Sequence, residues 1–175
     1  VTPVNGPADR PCFALFFGGS YTFGEGVEDH ETLPARFGNA APGFAPYNYG
    51  FKAYGPQNML LQVTAPGFAA DVPQRRGVAY YVFIDHHINR LVGAMRVGTT
   101  WGRDLPRLAL ENGHPTFTGS FENSRPVTQF LYRAARHLPS VQYLGIDWPP
   151  LTCARHYRLL ASMCAATRDA LSARF

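Results

Sequence analysis

Apolar residues in the first half of this chain come in short unbroken runs bounded by glycine and proline. Residues 13–17 (FALFF) form one such run, closed by Gly18-Gly19. An aromatic run of this length predicts a strand buried on both faces. Residues 47–51 predict a second strand. Residues 78–84 (VAYYVFI), β-branched and aromatic throughout, predict a third. Between them, Asp29 is the expected N-cap of a short helix through residues 32–37. Residues 38–46, rich in Ala, Gly and Pro, predict a loop, and residues 57–63 a helix with Pro56 near its first turn. Strands separated in this way predict an α/β fold with a parallel sheet and helices on both faces.

The second half has a different texture. Residues 107–118 predict a surface hairpin turning at Asn112-Gly113, because Asn-Gly tolerates the left-handed backbone of a tight turn. Residues 125–138 and 152–174 predict helices; the latter is alanine-rich and built of good helix formers. Residues 1–11 carry Pro3, Pro7 and Pro11 and form an N-terminal arm, with residues 12–175 as a single domain. In a doubly wound sheet a long final helix normally leads into another strand. The domain is therefore expected to be incomplete at its C-terminus.

Composition narrows the classes. Of 175 residues 46% are hydrophobic and 14% aromatic, a globular balance. The net charge of +4 is carried almost wholly by arginine, since Lys52 is the only lysine. The arginines are scattered without a basic run alternating with aromatics, so no nucleic-acid partner is expected. The odd set Cys12, Cys153 and Cys164 argues against a disulfide framework. Cys153 and Cys164 stand at helical spacing in an apolar stretch and are expected to be buried thiols. No apolar run approaches the length of a membrane span. The chain begins without Met, which leaves room for an upstream signal or anchor; compartment stays open, with an extracytoplasmic place favoured.

The chemistry concentrates in Phe16-Phe17-Gly18-Gly19-Ser20-Tyr21-Thr22-Phe23-Gly24-Glu25-Gly26. Ser20 falls just past the carboxyl end of a buried strand, where open α/β sheets bind ligands. Two preceding glycines permit a tight turn, and the following turn can aim N–H groups at an anion. There is no G-K-[ST] for a P-loop, no third glycine for a dinucleotide fingerprint, and Thr22 stands where a nucleophile elbow needs glycine.

The run GGSYTFGEGV, followed by ETLPARF and YNYGFKAYGP, and then Asp85-His86-His87, resembles in order the first three blocks of the SGNH, or GDSL-like, esterase superfamily. The resemblance implies a three-layer α/β/α flavodoxin-like sandwich and a serine esterase or deacylase acting on acyl or acetyl esters of a small molecule, glycan or lipid, without metal or organic cofactor. Ser20 would be the nucleophile, and its own N–H the first oxyanion donor. Ala53 stands where the family has a glycine whose N–H is the second donor. His87 stands where an asparagine side chain is usually the third. Gly19 replaces the usual Asp. The closing Asp-x-x-His block, which supplies base and orienting carboxylate, is absent and is expected beyond Phe175. Two alternatives stand beside this: a non-catalytic module of the same fold that binds acylated sugar or lipid, and an O-acyltransferase on the same scaffold.

Other residues carry competing roles. Asn112-Gly113-His114-Pro115 resembles the surroundings of the family's catalytic histidine, but a hairpin turn explains it better. Asp85 and His87 would share a face of an extended segment, yet two ligands without a third do not make a metal site. His30 could line a cleft, although its neighbours suit helix capping. Tyr21, Phe23, Tyr54 and Trp101 could wall an acyl group or pack the core. Met59, Leu60 and Met163 are expected in the core.

Overall fold

A computed structural model describes residues 2–3, 9–150 and 152–175. The chain divides into two compact units: Val1–Ile84 with Thr167–Phe175, and Asp85–Ala166.

The first unit contains β1 (Thr2–Pro3), β2 (Cys12–Gly18), α1 (Ser20–Phe23), α2 (Leu33–Ala40), β3 (Phe44–Asn48), α3 (Pro56–Thr64) and β4 (Gly77–Val82). Its sheet runs in the order β1-β3-β2-β4. Strands β3, β2 and β4 are parallel, with Leu15 opposite Tyr47 on one side and Ala79 on the other. Of the expected arm, residues 1 and 4–8 lie outside the described residues; Thr2 and Pro3 pair antiparallel with Asn48 and Tyr47.

Strand β2 is buried from Phe13 onward because neighbouring strands flank it and both its faces are covered. Successive side chains point to opposite faces of a strand. Phe16 meets Phe37 of α2 edge-on at 5.3 Å, while Phe17 stacks on Tyr49 at 5.3 Å and on Phe68 at 6.3 Å. Met59, Leu60 and Val63 of α3 are buried, as expected of the first two. The chain's last residues join this core: Phe175 packs on Phe13 at 4.6 Å, and Arg174 donates to the Ala65 carbonyl at 3.2 Å.

Two local expectations change. The cap of α2 is Thr32, not Asp29: its hydroxyl accepts from the Ala35 N–H at 3.4 Å, and Asp29–Glu31 forms a separate 3₁₀ turn. Strand β3 runs Phe44–Asn48, so part of the proline-bearing stretch expected as loop is strand. Arg10 fixes its start by donating to the carbonyls of Gly38 and Phe44 at 2.8 and 2.7 Å. The third expected strand is β4, which lies at the sheet margin with Val78 and Tyr80 36% and 42% exposed. β-Propensity reports fit to a pleated surface and says nothing about position within the sheet.

The second unit contains α4 (His86–Val92), α5 (Met95–Gly98), β5 (Pro106–Glu111), β6 (His114–Ser120), α6 (Phe121–Ser124), α7 (Pro126–Arg136), α8 (Pro139–Tyr143) and most of α9 (Ala154–Ser172). The hairpin turns where Asn-Gly predicts, with Asn112 at φ 52° and Gly113 at φ 82° between the pair Glu111 and His114. His114 is thereby an exposed hairpin residue. Ser120 caps α6 by accepting from the Asn123 N–H at 3.2 Å. Two N–H groups of the first turn of α5 hold a distant loop: Met95 donates to the Trp148 carbonyl at 2.7 Å and Arg96 to Asp147 Oδ1 at 2.8 Å. Met163 is buried in α9, but Cys153 and Cys164 are exposed, contrary to expectation: Cys153 precedes the helix, and Cys164 lies off its buried stripe of Met163 and Thr167. Among the described residues no helix is long and apolar enough to cross a membrane.

Candidate active site

Strand β2 ends at Gly18, and Ser20 is the first residue of the single turn α1. The turn closes tightly: the N–H groups of Thr22 and Phe23 donate to the Gly19 carbonyl at 3.1 and 3.0 Å, and those of Gly24 and Glu25 to the Ser20 carbonyl at 2.9 and 3.0 Å. Gly24 ends it in the left-handed region at φ 94°. Thr22 is fully buried beneath, while Ser20 is half-buried. Neither the Ser20 N–H nor its hydroxyl has a hydrogen-bond partner among the described residues. Both are left available to a ligand.

The segment after β3 is fastened onto this turn. Asn48 does most of it: its Nδ2 donates to the Thr22 carbonyl at 2.9 Å and the Phe23 carbonyl at 3.3 Å, while its Oδ1 accepts from Gly50 N–H at 3.0 Å. The Phe51 N–H donates to the Gly18 carbonyl at 3.2 Å. Gly50 lies so close that a Cβ there would stand 2.6 Å from Thr22 Cβ and 2.8 Å from the Phe23 nitrogen. Only glycine allows that approach. Outside these bonds, Phe51 meets the Phe23 ring at 5.2 Å, and Lys52 pairs with Glu25 at 3.0 Å.

Ala53 follows directly, half-buried, at φ 66°. A residue with a Cβ is uncommon in the left-handed region. Its N–H has no hydrogen-bond partner among the described residues. The structure thus brings the segment bearing Ala53 against the turn bearing Ser20.

His87 belongs to the second unit, at the second position of α4. It is buried, and its imidazole pKa is lowered from 6.5 to about 4, chiefly by burial and secondarily by the positive charge of Arg90 and then His86. It is neutral near pH 7 and carries one ring N–H. Asp85 and His86 sit on the same helical turn, so the alternation of an extended segment does not apply to them. Among the described residues no three His, Cys, Asp or Glu side chains are grouped to hold a metal.

Of the proposed apolar wall, Phe23 and Tyr54 flank Phe51, Tyr21 is 75% exposed, and Trp101 lies in the second unit against Arg90. His30 is exposed. No hydrogen bond joins the Ser20 hydroxyl to a histidine or carboxylate among the described residues. The sequence reading gave no role to Asn48. Its signal was an Asn at a strand end two residues before a Gly, the pattern of a side chain closing a turn on its own backbone. Compared with family models, curated proteins and solved structures, the chain matches none.

Proposed function

We propose that this chain is a serine ester hydrolase of the SGNH type, with Ser20 as nucleophile and the flavodoxin-like sandwich of that superfamily as its scaffold. One observation carries the reading. A serine at the end of a buried central strand and an alanine held at φ 66° on an adjoining, fastened segment both keep their N–H groups free. Such N–H groups suit an anion that develops during acyl transfer.

In this mechanism the Ser20 hydroxyl adds to the ester carbonyl as a base takes its proton. The N–H groups of Ser20 and Ala53 hold the tetrahedral oxyanion. The resemblance assigns the third donor to the neutral ring of His87. Collapse releases the alcohol with a proton and leaves an acyl-serine, which water hydrolyses to carboxylate and free Ser20.

Turnover of p-nitrophenyl acetate by the protein as it occurs in its full chain tests this. Ser20→Ala is expected to abolish turnover, and His87→Ala to reduce it by about 10²–10³-fold, as loss of one oxyanion donor does. Full activity in Ser20→Ala would overturn the reading. A second reading, a non-catalytic module for acylated sugar or lipid, is favoured by the lack of a histidine or carboxylate on the Ser20 hydroxyl among the described residues. It expects binding of an acetylated oligosaccharide without turnover and without dependence on the Ser20 hydroxyl. Acyl transfer to an added carbohydrate would instead identify a transferase.

A further inference from the structure

The second unit holds a cavity of about 280 Å³ whose lining includes neither Ser20 nor Ala53. Three arginines reach its lining from three separate elements: Arg107 on β5, Arg125 just before α7, and Arg155 in the first turn of α9. No carboxylate lines it. None of the three arginines forms an ion pair among the described residues.

Two acids of this unit are engaged elsewhere: Asp147 accepts from the Arg96 N–H, and Glu122 pairs with Arg133 at 2.9 Å. Tyr132 on the lining has its phenol pushed up by burial first, with Arg125 lowering it and Asp147 raising it. Like charges gathered in a partly buried place are unfavourable unless something offsets them. That repulsion is felt: Arg125 is held below its ordinary value by burial first and then by Arg107, against an opposing influence of Tyr132, with Arg155 adding to the lowering.

Their hydrogen-bonding capacity is also mostly unused. Arg107 donates one N–H from Nη1 to Thr118 at 2.9 Å, but its Nε is buried without a partner. Arg125 has one long bond to the Val92 carbonyl at 3.4 Å. A guanidinium offers five N–H donors in a fixed fork suited to phosphate and carboxylate oxygens. The rest of the wall includes apolar Leu91, Leu108, Phe121, Trp148 and Leu159 beside Tyr132 and His156, and Trp148 is fixed through its carbonyl by Met95.

We propose that this cavity binds a small phosphate monoester, its dianion held by Arg107, Arg125 and Arg155 and its apolar organic group against Phe121 and Trp148. Such a ligand supplies the negative charge and the acceptors that the site lacks. The apolar wall selects an ester over the free ion.

Calorimetric titration with phenyl phosphate, with inorganic phosphate and phenol as separate arms, tests it. Saturable binding of phenyl phosphate is expected, about tenfold or more tighter than inorganic phosphate, with none for phenol. Arg125→Gln should weaken it by at least about tenfold, as loss of a charge-assisted hydrogen bond does. Arg158→Gln, which removes an exposed arginine of α9 outside the lining, should leave it unchanged. Should Arg125→Gln fail to fold, Arg155→Gln decides. It removes one member of a repelling set, so the ligand-free melting temperature should hold or rise while the phenyl phosphate-induced rise is lost. A melting temperature lowered by Arg155→Gln with the induced rise intact would assign that arginine a structural role and overturn the proposal. So would absence of saturable binding, or equal loss in Arg125→Gln and Arg158→Gln.

Discussion

At the scale of single residues, Ala53 is where the chain carries strain. A left-handed backbone with a Cβ is unfavourable by roughly 1–2 kcal/mol. Glycine would relieve this, partly offset by its greater freedom in the unfolded chain. Ala53→Gly is therefore expected to stabilise the protein by about 0.5–1 kcal/mol, read as a higher urea midpoint at unchanged slope. A lower midpoint would show that the alanine methyl makes compensating contacts. His87 is the other telling residue. Its folded-state pKa of about 4 lies below the ordinary 6.5. Between those values the unfolded chain binds a proton that the folded chain does not. This contribution to stability is thus whole above about pH 6.5 and is lost as the pH falls toward 4, by up to about 3 kcal/mol. Denaturation midpoints at pH 7.5 and 4.5 should converge in His87→Gln relative to the parent; an identical decline in both would assign the loss to other groups.

At the scale of elements, Asn48 is the fastening between β3 and the serine turn. Asn48→Ala removes three hydrogen bonds at a half-buried site. An expected destabilisation of about 1–3 kcal/mol follows. If Ser20 is the nucleophile, ester turnover should fall as well, because the Ala53 segment loses its anchor. Unchanged stability would remove the fastening role. The elements also explain what was legible beforehand. Residues 13–17 and the Asn112-Gly113 hairpin were readable because each is set by local chemistry: an unbroken aromatic run in one, two residues tolerant of positive φ in the other. The limits of β3 were not, since they depend on Arg10 reaching carbonyls 28 and 34 positions away. The same holds for the cap of α2, where Asp29 and Thr32 both carry suitable oxygens and only geometry chooses Thr32.

At the scale of the molecule, the sequence pointed to the Ser20 turn and to the Ala53 segment, and these do meet in the first unit. It gave no sign of the arginine cavity, whose members lie between 18 and 48 positions apart and converge only through the hairpin, α7 and α9. Among the described residues strand β4 lies at the sheet margin beside β2, and its Val78 and Tyr80 side chains are exposed. A marginal strand with exposed β-branched and aromatic side chains attracts extended peptides, including another molecule's β4. Crowded solutions should therefore favour self-association through this margin, and a single gatekeeper charge should suppress it. Val78→Lys is expected to raise the concentration at which light scattering appears on heating, with little change in the melting temperature. A protein with such a margin tolerates dilution better than storage.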